Sequence, residues 1–380
     1  MLPISYALRN LWRRRARTLI TLAGITLITT LVVLMGGFAS GLSQTARESA
    51  AADVMVLTGN ASEHDMVRSV ITRGNAEAAE AGIPYVAEEG GVRAVSIELH
   101  IATLKDDRVG LMRGVTDGAY LVHRRITVVE GREPREPFEL MAGRLAAKRM
   151  GFPDADFAVG RTVNLEGRDW QVVGRFAAPG TVLEAELWGR LDDISLATRR
   201  TDVSCVAARL ADPADMRKVG LWVNRNGVEY EIAAVPETRL FETLQNALDP
   251  IAGLAWVMAI LVLVGGVFAC ANTMFAAVLA RTREMGALRA IGYGPLAVGV
   301  SLLTEAMLLG VIGGLLGFWI AGLFGEVPLK FPMGAFYLDL SPTIRLAGLG
   351  SAMLAGLLGG LIPAWRAIRM PLPDALGGKL

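Results

Sequence analysis

Residues 18–46 carry no charged side chain. Wound as a helix, the apolar part from Thr18 to Gly41 is roughly 35 Å long, enough to cross the hydrocarbon of a bilayer. Three similar runs fall in the last third of the chain, at 250–280, 295–325 and 344–365. The third is interrupted only by Glu305, and the fourth is uncharged from Leu346 to Trp365. The chain as a whole is 52% hydrophobic, and these four blocks hold the excess over an ordinary soluble composition.

Charge is divided along the same lines. Residues 43–249 hold 25 Lys/Arg against 32 Asp/Glu, whereas the rest of the chain holds 13 against 5. Basic residues are retained on the cytoplasmic side of a membrane. Arg9, Arg13, Arg14, Arg15 and Arg17 precede the first run. Arg281, Arg283 and Arg289 follow the second, and Arg366, Arg369 and Lys379 follow the fourth. Four crossings put all three clusters on one face, whereas three or five would put one cluster outside. The expected layout is a cytoplasmic interfacial helix (1–17), spans at 18–42, 250–280, 295–325 and 344–365, an outer domain (43–249), a cytoplasmic segment (281–294), an outer loop (326–343) and a cytoplasmic tail (366–380). Ile4, Leu8, Leu11 and Trp12 mark the interfacial helix. A cleaved leader ending at Ala39-Ser40-Gly41 competes for the first run, which is too long for the apolar part of such a leader.

Small residues three or four apart let helices approach closely in lipid. The third span offers Gly310, Gly313, Gly314 and Gly317, and the fourth Gly348, Gly356, Gly359 and Gly360. Helix packing is the expected role of most of them. Trp12 and Trp365 fit the aromatic belt of an inner interface. The loop 326–343, with Pro328, Pro332 and Pro342, is too short to form a domain.

The block 43–249 alternates like strands at Val54–Leu57, Val92–Ile101, Val109–Met112 and Trp170–Val173. Helices are predicted at Ala76–Ala81 and Ala142–Met150. Residues 160–174 read as a β-hairpin turning at Glu166-Gly167. The fold class is therefore a four-span α-helical membrane protein with an inserted α+β domain outside. No catalytic constellation stands out in that domain. The histidines His64, His100 and His123 are far apart in sequence, and Glu63-His64-Asp65 reads as a solvated loop before a metal site. There is no H-E-x-x-H, G-x-S-x-G or paired-cysteine zinc spacing. Cys205 and Cys270 fall in different environments and are not expected to pair.

The stretch from Arg281 to Gly292, R-T-R-E-M-G-A-L-R-A-I-G, resembles a motif of the FtsX/MacB/LolC-type ABC transporter permeases. Three other stretches agree: Thr304–Gly317, the tail Pro363–Leu376 (P-A-W-R-A-I-R-M-P-L-P-D-A-L), and Leu145–Gly151 followed by Val159-Gly160 and the hairpin. The resemblance covers nearly the whole chain. It implies four spans, a MacB-like periplasmic core domain, and two permease copies, identical or different, assembled with two ATPase subunits. ATP turnover inside would then drive the outer domain, a mechanism called mechanotransmission, and a periplasmic adaptor could join. The localisation implied is the cytoplasmic (inner) membrane.

The chain has no G-x-x-x-x-G-K-[ST] phosphate loop, and only about 17 residues precede the first span. ATP and Mg are accordingly expected on a separate ATPase partner, with no cofactor, metal or nucleic acid on this chain and membrane lipid around it. By resemblance, Arg281, Arg283, Glu284, Met285, Gly286, Leu288 and Arg289 dock that ATPase, with the apolar contact from Met285 and Leu288. Glu284 is the pointer from the residues themselves, because an acid among basic anchors adds nothing to topology. Glu305, roughly 15 Å along its helix from Pro295, must face a partner because a carboxylate in lipid costs on the order of 3 kcal/mol. A hydrogen bond to a neighbouring span, a coupling role and a proton relay are its readings, in that order. Export or extraction of a lipid, lipoprotein, peptide or drug fits the whole. An FtsX-like regulator of a cell-wall hydrolase and a membrane-anchored enzyme are the other classes.

Overall fold

Four helices among the described residues are long and apolar enough to cross a membrane: Arg15–Ser49, Glu237–Leu279, Pro295–Gly322 and Pro342–Arg369. The computed structural model describes the chain except residues 1–8, 10, 14, 61–65, 67, 326, 332–333 and 373–380. Ile4, Leu8, the Glu63-His64-Asp65 cluster, Pro332 and the tail Pro373–Leu376 therefore lie outside the described residues, as do Arg14 and Lys379. Two units emerge. A helical unit comprises Met1–Ser40, Pro250–Val327 and Leu338–Leu380, and an α+β unit comprises Gly41–Asp249 and Pro328–Tyr337.

The first two helices have 35 and 43 residues. At 1.5 Å per residue they measure about 52 and about 65 Å, well over the ~30 Å of a hydrocarbon core. Each starts or ends in the α+β unit: the first helix belongs to it from Gly41, the second up to Asp249. Pro250, at that boundary, lies inside the second helix. A proline there removes one backbone hydrogen bond and makes the position a place to bend. The third and fourth helices open with Pro295 and Pro342 in their first turn, where the missing N–H is not needed.

On the third and fourth helices most buried residues are small and many of the large apolar ones face out, as expected when lipid is the solvent. On the third helix Gly299, Ala306, Gly310, Gly313, Gly314, Gly317 and Ala321 are buried, while Leu296, Leu315 and Trp319 are exposed. The close approach is reciprocal between the third and fourth helices. A Cβ on Gly310 would lie 2.9 Å from the Ala352 carbonyl, and one on Gly356 2.8 Å from that of Ala306. Leu11, in the expected interfacial helix, is buried with Ile25, Leu309 and Ala352, while Trp12 stays exposed. At the other end Ser40 donates to Asp339 at 2.6 Å.

The α+β unit is built on a ten-stranded sheet: β1 (Val54–Gly59), β2 (Val95–Lys105), β3 (Arg108–Val115), β4 (Thr127–Gly131), β5 (Glu139–Gly143), β6 (Thr162–Leu165), β7 (Arg168–Ala177), β8 (Leu187–Arg190), β9 (Cys205–Arg209) and β10 (Ile232–Pro236). Their order is β10-β1-β9-β2-β3-β8-β5-β7-β4, with β6 on β7. Two pairs, β8 with β3 and β5 with β7, are parallel, and the rest are antiparallel. Helices Arg73–Gly82 and Leu191–Thr198 cover a core that includes Leu57, Leu99, Leu140, Trp170 and Ile194. The β6–β7 hairpin turns at Glu166 and Gly167, both with positive φ (52° and 70°), the combination a two-residue type I′ turn requires.

One sequence expectation is corrected. The helix expected over Ala142–Met150 is confined to Ala146–Met150, and Ala142 and Gly143 belong to β5. Leu140, Met141 and Ala142 are inserted between β8 and β7, and their ladder bonds on both sides override helix propensity. Within the outer loop, Pro328–Phe331 and Gly334–Tyr337 form a hairpin that belongs to the α+β unit. Its Ala335 packs with Leu145 and Ala185.

Candidate functional site

The second long helix ends at Leu279, and a short helix, Thr282–Ala290, follows it. Its sequence carries its own stop. Gly292 has φ +110°, its N–H bonds the Arg289 carbonyl, and the Tyr293 N–H bonds that of Leu288. This is a Schellman motif with glycine in the left-handed position. Gly294 and Pro295 then open the third helix.

The short helix divides the expected docking residues between two faces. Arg283 and Glu284 are exposed, with Ala287, Ala290 and Ile291, which is 78% exposed. Leu288 and Arg289 are half-buried, and the Arg289 guanidinium donates to the Met370 carbonyl at the end of the fourth helix. Arg281, Met285 and Gly286 point inward. Met285 packs with Val278, Val298, Leu302, Ala364 and Ala367, which brings the short helix against the second, third and fourth helices.

Arg281 meets Glu305. The Arg281 Nη1 donates to Glu305 Oε2 at 2.8 Å, and the Arg17 Nη2 to Oε1 at 2.8 Å. Glu305 is 2% and Arg281 4% exposed. One carboxylate on the third helix therefore holds an arginine from the first helix and one from the start of the short helix. Each oxygen receives a charge-assisted bond, which lets a carboxylate be buried at this depth. Both arginines lie just outside the apolar runs at 18–42 and 250–280, at the ends of the helices that carry those runs. Arg17 was not singled out by sequence, where it reads as one more topological anchor.

A second buried constellation lies in the α+β unit. Glu98 and His100, two apart on β2, share one face, and the carboxylate of Glu98 receives His100 Nε2 (2.9 Å), His123 Nε2 (2.7 Å) and Arg113 Nη1 (2.7 Å). Arg113 also forks onto both oxygens of Glu186, at 2.8 and 2.9 Å, and Trp188 Nε1 donates to Glu186. Burial pushes the Glu98 carboxyl up, but His123, Arg113 and the His100 bond outweigh it and hold it well below the usual carboxylate range. Glu186 is held down in the same way, against its burial, by Arg113. Burial and Arg113 lower His100, and burial and Glu98 raise the Cys205 thiol.

Glu98, His100 and Cys205 each offer a ligand atom within 4.8 Å of the others. The donor set does not fit a cation. Arg113 already occupies the Glu98 oxygen that His100 faces, and His123 occupies the other, so a cation would sit beside a buried guanidinium. The cluster is a closed hydrogen-bond network. Its one signal in the sequence is a pair of polar residues, two apart, within the apolar run of β2.

A helical membrane unit interrupted by one large α+β domain defines a multi-pass membrane protein with an extramembranous core domain. The sequence matches the MacB-like periplasmic core domain family over residues 18–222 and the FtsX-like permease C-terminal family over 256–372. The chain belongs to the MacB/FtsX-type ABC permeases with a periplasmic core domain. It is 27% identical over 358 residues to the pyoverdine export ATP-binding/permease protein PvdT of Pseudomonas syringae pv. syringae, covering 84% of this chain and 51% of that protein. It is 35% identical over 124 residues to the macrolide export ATP-binding/permease protein MacB of Nitrobacter winogradskyi, covering 32% of this chain and 19% of that one. The chain thus spans about half, or less, of the length of these relatives. Among solved structures, the periplasmic region of MacB from Actinobacillus actinomycetemcomitans aligns with a TM-score of 0.37 at 11% identity, over 51% of this chain and 93% of that one.

Proposed function

We propose that this chain is a permease that couples ATP hydrolysis by an ATPase partner to work done by the α+β unit on an exported or extracted substrate. The observation that carries this reading is the divided short helix. Its exposed face (Arg283, Glu284, Ala287, Ala290 and Ile291) offers a mixed charged and apolar surface to a partner. Its inward face is gripped by the spans. A push on the outer face is passed by Arg281 through Glu305 to the first and third helices, and by Met285 to the fourth. The first and second helices continue into the α+β unit, and Pro250 gives the second a place to bend.

In this reading both termini and the Arg281–Gly292 segment lie in the cytoplasm and the α+β unit lies outside the inner membrane. ATP and Mg bind the ATPase, and a second permease copy completes the pair of docking helices. Relatives named for pyoverdine and macrolide export support an exported cargo, with a lipid, lipoprotein, peptide or drug as the class. Coexpression with the cognate ATPase tests it. Glu284→Lys with Ile291→Asp is expected to abolish co-purification, whereas Arg281→Ala keeps the ATPase bound but uncouples its hydrolysis from transport. Full ATPase binding by the first variant, or labelling of residues 281–292 by an impermeant reagent from outside, refutes the reading.

A further inference from the structure

Away from both clusters, the α+β unit carries a cleft of about 390 Å³ lined by Val129, Glu130, Arg144, Lys148, Asp154, Arg175 and Tyr337. That volume lies in the range of small-molecule sites. Its walls come from β4, β7, the end of β5, the helix Ala146–Met150, the turn Asp154–Phe157 and the outer-loop hairpin. Two features set it apart from an ordinary solvated surface.

The first is a shortage of partners. Arg175 makes no ion pair among the described residues, although residues 43–249 have more acids than bases, and the exposed Arg144 has the buried Glu184 carboxyl, which it pulls down against burial, as its charged neighbour. The Arg175 Nε–H is shielded from solvent and has no acceptor. The second is that an acceptor is orphaned in the same cleft. Asp154 Oδ1 is buried and has no donor, while Oδ2 faces Lys148 at 3.5 Å. A buried polar group without a partner is rare unless a ligand or water supplies one. A simple anion would answer Arg175 but leave Asp154 unanswered and be repelled by Glu130. A simple cation would do the reverse.

We propose that the cleft binds a zwitterionic head, an oxyanion and a primary ammonium a few bonds apart, as in a phosphoethanolamine group. The oxyanion takes the guanidiniums of Arg144 and Arg175, whose planar forks match phosphate oxygens. The ammonium N–H groups take Asp154 and Glu130, and Val129 with the Tyr337 ring covers the short carbon linker. Tyr337 belongs to the hairpin between the third and fourth helices, so occupancy is felt by a segment continuous with those spans. The inference does not depend on an ATPase.

The test is calorimetric titration of the full chain in detergent with glycerophosphoethanolamine, glycerophosphocholine and inorganic phosphate. Saturable binding of the first is expected, with the other two about tenfold weaker, because a quaternary ammonium has no N–H and phosphate has no cationic end. Arg175→Gln and Asp154→Asn should each weaken glycerophosphoethanolamine by about tenfold, while the exposed Arg225→Gln changes nothing. Melting temperatures of the variants within a degree or two of the parent establish that they fold. Phosphate binding as tightly as glycerophosphoethanolamine, indifference to Asp154→Asn, or no binding at all overturns the proposal. Competition from phosphatidylethanolamine nanodiscs but not phosphatidylcholine ones assigns the head to a lipid. Competition from neither, with the soluble headgroup still bound, assigns it to a free metabolite.

Discussion

Removing the Glu305 carboxylate is the sharpest test of the clamp. Glu305→Ala deletes two charge-assisted bonds of 2.8 Å and strands Arg281, which is 4% exposed. Breaking a buried pair from one side costs about 3–5 kcal/mol, and each charge-assisted bond contributes about 1.5–3 kcal/mol. The Arg17 side chain, 21% exposed, can turn to water, so its share is near the ~1 kcal/mol of a surface pair. Partners found in the membrane-embedded unfolded state trim the total further. A loss of about 3 kcal/mol is expected, over a hundredfold in the unfolding constant.

The assay is unfolding in mixed micelles with rising dodecyl sulfate, followed by circular dichroism, as a double-mutant cycle. Glu305→Ala and Arg281→Ala should couple by about 2 kcal/mol, and Glu305→Ala and Arg17→Ala by about half of that. Replacing the cluster with apolar residues (Arg17→Met, Arg281→Met, Glu305→Leu) should restore or exceed parental stability, because desolvating three charges is itself costly. The same triple variant should fail to couple hydrolysis to transport. Additive single-variant effects, or a Glu305→Ala loss under ~0.5 kcal/mol, would show that the three side chains form no clamp.

Gly356→Ala puts a Cβ 2.8 Å from the Ala306 carbonyl and should cost about 1–3 kcal/mol in the same assay. Gly350→Ala, where the Cβ would meet nothing within 4 Å, should be neutral or stabilise by up to ~1 kcal/mol. The α+β unit should lose thermal stability on acidification in two windows. His100, lowered by burial, resists protonation in the fold, so stability drops as pH falls below about 6.5; Glu98 and Glu186, held low, add a second drop below about 4.3. Glu184, raised by burial, works the other way, so the test is the difference from His100→Asn, which should lose the first window; a parent and variant with identical profiles would refute the assignment. Cys205, buried and with a raised thiol, should stay unlabelled by maleimide in the folded chain and react on unfolding; rapid native labelling would contradict the packing of β9.

The architecture was legible because its causes are local. Uncharged runs, proline starts and flanking arginines mark the spans, and Glu166-Gly167 marks its hairpin. The limits were also physical. Hydropathy shows where a helix meets lipid but not where it ends in water, so the continuation of the first helix through Ser43–Ser49, inside the α+β unit, is not marked in the sequence. The helix expected from Ala142 starts too early because Ala142–Met150 has good helix formers, and the place of Ala142 and Gly143 at the end of β5, between two strands, depends on residues distant in sequence. The His100–Glu98–His123 network was invisible for the same reason: β2 supplies Glu98 and His100, and a separate turn supplies His123.

The proposed docking segment shows how one stretch of sequence can present two faces at once. In R-T-R-E-M-G-A-L-R-A-I-G, Arg281 and Met285 are four apart and share the buried side, while Glu284, Ala287 and Ile291, spaced by three and four, share the exposed side. A helix of nine residues gains little stability from its own hydrogen bonds. It is held by Arg281 at one end, Arg289 at the other and Met285 between them, each fixed to a different part of the helical unit. With so little independent stability, the short helix cannot shift without drawing on those three attachments. Glu305 is the buried group that ties the Arg281 attachment to the first helix through Arg17. In the proposed mechanism, a carboxylate that anchored one neighbour would serve only packing, whereas one that holds arginines from two separate segments would make the first span respond to whatever moves the short helix.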